Sequence, residues 1–323
     1  METTKTKRKP RRVAAPPKMI EIPGTGVSMP FNHEGNGNPR VPLLKPYVFD
    51  KEQVEEIAVG LLLDANIALT GPTGCGKTSI VAALAAVTNN PLVRFNMNGE
   101  TRVSHIVGMN KPTTEAGSLA LKFVLGPFAE AMEKGWWVML DEIDAALQSV
   151  VMVLQSVLEE DRILFIPETG RAIRAHPNFR LFATGNTIGY RAVARMRHAG
   201  TNPMNDAFLD RFGLVIAVDY PNRLDEIKRV RANCPGVDDA IIDGICRVAE
   251  DLRADDKFRS DFSTRRCIQW AALFNHLPGE DFIARVLRAA EMAVIRKMTS
   301  PTDVAVSREV ARRIFGWEGD DDE

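Results

Sequence analysis

The sequence predicts an α/β fold: a parallel sheet sandwiched by helices, followed by a small all-helical domain. Three observations lead there. From residue 66 to about Tyr220, short apolar runs alternate with helical periodicity, the pattern of a parallel sheet buried on both faces. A glycine-rich pattern, Gly71 to Thr78, lies between the first apolar run and the next helix. Beyond Pro221 the strand signals stop.

Taken in order, residues 1–46 read as an extended arm, because they hold eight of the 19 prolines and a Gly/Asn cluster at 35–38. Asp50 is a natural N-cap for a helix with Val54, Ile57, Ala58 and Leu61 on one face. Strands are expected at 66–70, 92–96, 136–140, 179–184 and 214–218, and helices at 77–87, 128–134 and 146–159. The last helix carries an apolar stripe of Leu147, Val150, Val151, Leu154, Val157 and Leu158. Hairpins are expected over 112–124 and 162–174, each with a turn-like Gly segment at its tip. Helices are expected at 224–231, 239–252, 264–277 and 282–297. The chain then divides into an arm (1–46), an α/β domain (47–220), a helical domain (221–316) and an acidic tail (317–323).

Composition narrows the function. With 323 residues, 45% hydrophobic and 26% charged, the chain can bury a sizeable core. The net charge of −1 conceals seven Lys/Arg in residues 1–18 and five Asp/Glu in 318–323. The basic arm could meet nucleic acid or simply solubilise the chain; no aromatic residue is interleaved with its charges. No apolar run approaches membrane-helix length, and no apolar segment of the signal-peptide kind follows the basic start. Four cysteines without CxxC pairing and five scattered histidines argue for a reducing, cytoplasmic setting and against a zinc module.

Four motifs carry chemistry. Gly71-Pro72-Thr73-Gly74-Cys75-Gly76-Lys77-Thr78 matches GxxxxGK[ST]. Its glycines let backbone N–H groups face an anion, Lys77 would reach the β- and γ-phosphates, and Thr78 would bind Mg²⁺. Asp141 and Glu142 end an apolar strand, at the edge where parallel sheets bind ligands. Asp141 would hold Mg²⁺ and Glu142 would activate the attacking water. Asp144 is the expected N-cap of the helix that follows. Asn186, after Leu181-Phe-Ala-Thr-Gly, could contact that water or simply form a turn. Arg211, in Phe208-Leu-Asp-Arg-Phe, could enter a neighbouring subunit's phosphate site or pair with Asp210 or another neighbour. Trp136 and Trp137 are expected in the core.

In this order, and with a helical domain behind them, these elements resemble the MoxR-like AAA+ ATPases, the dynein-related AAA class. Within that group the chain is similar to the CobS-type subunit of aerobic cobaltochelatases. Segments such as Val153-Leu-Gln-Ser-Val-Leu and His176-Pro-Asn-Phe-Arg-Leu-Phe-Ala carry that likeness. The resemblance implies ATP and Mg²⁺ as cofactors, with Lys77 and Thr78 as Walker A residues and Asp141 and Glu142 as the Walker B pair. It implies Asn186 as sensor 1, Arg211 as arginine finger and Arg265 as sensor 2, with Arg266 the alternative beside it. Thr264 stands where the family usually has proline. The resemblance further implies a hexameric ring that remodels a protein partner, the hairpins facing the pore or that partner. The partner would be a separate von Willebrand factor A-domain chain, since no DxSxS occurs here. Two other readings are a nucleic-acid-associated motor using the basic arm and a nucleotide-gated scaffold. The intact Lys77, Asp141 and Glu142 set speaks against the scaffold.

Overall fold

The computed structural model describes residues 18–115, 118–185, 206–279 and 281–316. Strands β1 (Met19–Glu21) and β2 (Ser28–Pro30) pair antiparallel. Then come α1 (Lys51–Leu62), β3 (Ile67–Thr70), α2 (Lys77–Val87), β4 (Leu92–Asn96) and α3 (Val103–Val107). Strands β5 (Gly108–Glu115) and β6 (Ser118–Leu125) form a hairpin, followed by α4 (Pro127–Lys134), β7 (Trp137–Asp141) and α5 (Gln148–Leu158). A second hairpin, β8 (Ile163–Ile166) and β9 (Arg171–Arg174), precedes β10 (Arg180–Gly185), α6 (Asp206–Leu209) and β11 (Leu214–Ala217). The remainder is helical: α7 (Arg223–Asn233), α8 (Asp239–Ala254), α9 (Thr264–His276), α10 (Phe282–Ala293) and α11 (Pro301–Phe315).

The main sheet is five-stranded, ordered β11-β3-β10-β7-β4, with every neighbouring pair parallel. Period-two alternation splits its side chains between two cores. Ala68, Val138, Leu140, Leu181 and Ala183 join α4 and α5 on one face. Ile67, Leu69, Trp137, Met139, Phe182 and Ile216 join α1 and α2 on the other. Each large apolar side chain buried this way contributes about 1.5–3 kcal/mol, which explains why the strands are apolar on both faces. The helices after β11 pack around a separate core that includes Ile242, Ile245, Trp270 and Val286. None of the helices among the described residues is long and apolar enough to cross a membrane.

Several expectations are corrected. Residues 18–46 are not a free arm. Ile22 and Met29 are fully buried against the α1/α2 core. The segment is also tied down by Asn32 N–H donating to Thr88 O (2.9 Å) and Leu92 N–H donating to Arg40 O (2.9 Å). Proline-rich composition hid two apolar anchors carried on strands only three residues long. The basic residues 1–17 and the acidic tail lie outside the described residues. Asp144 does not cap α5, whose N-cap is Leu147 with no side-chain bond; Asp144 is buried in a 3-10 turn, Ile143–Ala145. Trp137 is core as expected, but Trp136 is half-buried between the cations of Arg40 and Lys134 (5.1 and 4.8 Å). Helix α11 extends the helical region beyond the four helices expected.

Candidate nucleotide site

The Gly71–Thr78 loop connects the C-terminal end of β3 to α2. Two glycines there are required by close approach. A Cβ on Gly71 (φ 157°) would lie 1.9 Å from Val218 O, and one on Gly74 (φ 73°) would lie 2.5 Å from Ser263 Cβ. The loop is therefore packed against β11 on one side and the start of α9 on the other. Cys75 is buried beneath it. Pro72 is buried, whereas Thr73 is exposed. The buried ammonium of Lys77 donates to Gly71 O (2.8 Å) and Pro72 O (3.0 Å), so the cation sits inside the loop's curve.

Thr78 Oγ1 donates to Oδ1 of Asp141 at 2.8 Å, joining residues 63 positions apart. Asp141 is the last residue of β7. Thr184 on β10 also donates to Oδ1, and Arg94 on β4 donates to Oδ2. Burial pushes the Asp141 carboxyl upward, but the bonds from Thr184, Thr78 and Arg94 outweigh it and hold the group below the usual carboxylate range. Next to it Glu142 is exposed and adopts the left-handed region (φ 56°, ψ 47°), a conformation that costs a non-glycine residue about 1–3 kcal/mol. Its N–H donates to Thr184 Oγ1 (3.1 Å), so Thr184 braces both acids. An ionised acid and a hydroxyl in contact form an oxygen donor set suited to Mg²⁺, so the residues present fit that ion.

The helical region approaches the loop through polar contacts that no motif announces. Tyr220 Oη donates to Thr73 O (2.8 Å), and Arg253 stacks 4.2 Å above the Tyr220 ring. Arg253 holds the buried Glu226 through two bonds of 2.8 and 2.7 Å. Thr264 Oγ1 donates to the same carboxylate at 2.7 Å. A proline at 264 would lack that donor, which accounts for threonine at this position. Tyr47 and Arg229 flank Gly76, at 3.8 and 4.0 Å from a Cβ built there. Burial raises the Tyr47 phenol to about 12, with Arg229 pulling it partly back, so it remains a neutral donor at physiological pH. Of the two adjacent arginines, Arg265 is exposed, while Arg266 is half-buried near Tyr220. Arg266 Nη1 and Arg229 Nε are buried without a hydrogen-bond partner among the described residues.

Asn186 lies outside the described residues. Arg211 pairs with Glu159 (2.8 Å) and also donates to Ala207 O, rather than pairing with Asp210. Its backbone carbonyl accepts from Asn66 Nδ2 (3.2 Å), which places Arg211 at the N-terminal end of β3. Its own phosphate loop leaves the other end. Thr184, Arg94, Tyr47, Tyr220 and Arg229 were missed by sequence reasoning. Thr184 and Arg94 carried a usable signal, each as a polar residue among apolar neighbours in a strand.

Residues 66–212 match the AAA domain of the dynein-related subfamily. An uncharacterized protein of Staphylococcus haemolyticus is 35% identical over 75% of this chain and 90% of its own length. The aerobic cobaltochelatase subunit CobS of a Sinorhizobium species is 31% identical over 67% of this chain and 65% of its own. Among solved structures, a variant of RuvB from Thermotoga maritima superposes with a TM-score of 0.52 at 13% identity, covering 78% of this chain and 73% of that one, a likeness of fold. The chain belongs to the AAA family, in its dynein-related subfamily, and is a nucleotide-binding ATP hydrolase of that class.

Proposed function

We propose that this chain is the Mg²⁺-dependent ATPase subunit of a homo-oligomeric ring, a hexamer. ATP hydrolysis in that ring remodels a protein partner, as a CobS-type subunit of a cobaltochelatase-like complex. The observation that carries the ring is the position of Arg211. It sits beside Asn66, five residues and roughly 16 Å of strand away from Gly71 at about 3.3 Å per residue. The guanidinium is held by Glu159 and Ala207 O, at the far end of β3 from its own phosphate loop, which supports a neighbour's loop as its target. Glu159 parks it until a neighbour docks.

Within one subunit, Lys77 and the loop N–H groups hold the phosphates, and Thr78 and Asp141 hold Mg²⁺. The metal supplies charge neutralisation at the transferring phosphoryl group. Glu142 takes the proton of the attacking water, and Asn186 is assigned as sensor 1 by family resemblance alone. Arg266, with Arg229, faces the phosphates from the helical domain; its buried unmatched donor favours it over the exposed Arg265 as sensor 2. The Tyr220–Thr73 bond and the Arg253–Glu226 pair carry loop movement into that domain. Leu119 and Leu121, 83% and 71% exposed on β6, give the first hairpin an apolar face for a client or a von Willebrand factor A-domain partner. Four buried free cysteines suit the cytoplasm proposed for it. Turnover per subunit measured against protein concentration tests the proposal. A steep rise with assembly is expected, and a fully active monomer would refute the ring.

A further inference from the structure

Arg94 belongs to no motif. It lies on the edge strand β4, two residues before the register partner of Asp141. Its guanidinium nevertheless crosses to β7 and binds Oδ2 of Asp141, while Thr78 and Thr184 take Oδ1. Both carboxylate oxygens are thereby engaged. The two partners differ in their freedom. The Asp141 side chain is 10% exposed, whereas that of Arg94 is 57% exposed. An acid this buried requires a counter-charge, and a guanidinium on a solvated stem can supply one and leave again at little cost.

We propose that Arg94 is a built-in competitor of the divalent cation at Asp141. It neutralises the carboxylate and must leave Oδ2 when the metal and its water shell take that oxygen. Two cations cannot share one buried acid without repulsion, so loading the metal expels Arg94 toward solvent at the sheet edge. Arg94 thus sets the metal concentration at which the site becomes competent. The inference rests on the proposed role of Asp141 as metal holder.

The test is Mn²⁺ binding to the full-length chain with a non-hydrolysable ATP analogue, read by electron paramagnetic resonance. Arg94→Met should lower the Mn²⁺ midpoint about two- to fivefold, the range expected for an ion pair whose cation is solvent-exposed. Affinity for the analogue without metal should stay within about twofold. An unchanged or raised Mn²⁺ midpoint would overturn the proposal. So would loss of metal-free analogue binding, which would assign Arg94 to the phosphates. Asp141→Asn separates the two levels. Wild-type Mn²⁺ binding in that variant would remove the metal role of Asp141 itself. Lost Mn²⁺ binding there, with an unmoved midpoint in Arg94→Met, would sink the competitor alone.

Discussion

Thr184→Val replaces one hydroxyl with a methyl of nearly the same size at a position 1% exposed. Two bonds are lost. One is charge-assisted, from Thr184 Oγ1 to Asp141, and such bonds are worth about 1.5–3 kcal/mol. The other leaves the Glu142 N–H without its acceptor, at a cost of about 1–3 kcal/mol. Allowing for overlap, stability should fall by about 2–5 kcal/mol, or roughly 5–15 °C in melting temperature. The Asp141 carboxyl also loses a bond that holds it below the usual range. Because the folded-state value is depressed, its stabilisation is present at neutral pH and lost as pH falls through that value. In the variant the loss should begin at a higher pH. Glu142 loses the brace on its left-handed backbone, so single-turnover hydrolysis should drop at least about tenfold, with ATP-analogue affinity little changed. Thr184→Ser keeps the hydroxyl and should restore both readouts. If Thr184→Val melts within a degree of wild type and hydrolyses ATP at the same rate, the bracing argument is wrong.

Three further outcomes are expected. Lys77→Ala should abolish tight ATP binding by calorimetry, since the cation inside the loop disappears; unchanged affinity in a folded variant would contradict the loop assignment. Glu142→Gln should bind ATP but turn it over about 10²–10⁴-fold more slowly, and a rate within twofold of wild type would mean that another group activates water. Arg253→Met leaves the Glu226 carboxylate, 1% exposed, with the Thr264 hydroxyl and the Cys267 thiol as its partners among the described residues. Breaking a buried pair this way should cost about 3–5 kcal/mol, read as an earlier denaturant transition of the helical region.

What could be read from the sequence was local. The Gly71–Thr78 loop, the apolar strands and the helix 77–87 are written in neighbouring residues, and α2 spans those bounds. Asp141 and Glu142 were legible because a strand end followed by two acids is itself a local pattern. The remaining site residues meet only through topology. Arg94 reaches Asp141 because β4 lies beside β7, and Thr184 because β10 lies on its other side. Tyr220, Arg229 and Ser263 meet the loop, and Arg253 meets Tyr220, only through the fold, which no spacing encodes. The segment 18–46 was misread because average composition outweighed two buried side chains, Ile22 and Met29. The salt-bridge partner of Arg211 was left open between Asp210 and another neighbour; it is Glu159 at the end of α5, which spacing does not single out.

The central claim is that Arg211 acts on a neighbour's nucleotide, and mixing two inactive variants tests it most directly. Arg211→Ala should bind ATP without hydrolysing it, since trans arginine fingers contribute about 10³–10⁵ in the best-studied cases. Glu142→Gln should be inactive for lack of the base. After subunit exchange, some interfaces combine an intact Glu142 site with an intact Arg211 finger. The account predicts that ATP hydrolysis reappears in the mixture and rises with the fraction of mixed interfaces. A mixture that exchanges subunits fully yet stays as inactive as its two parents would contradict it, and Arg211 would then be a structural partner of Glu159.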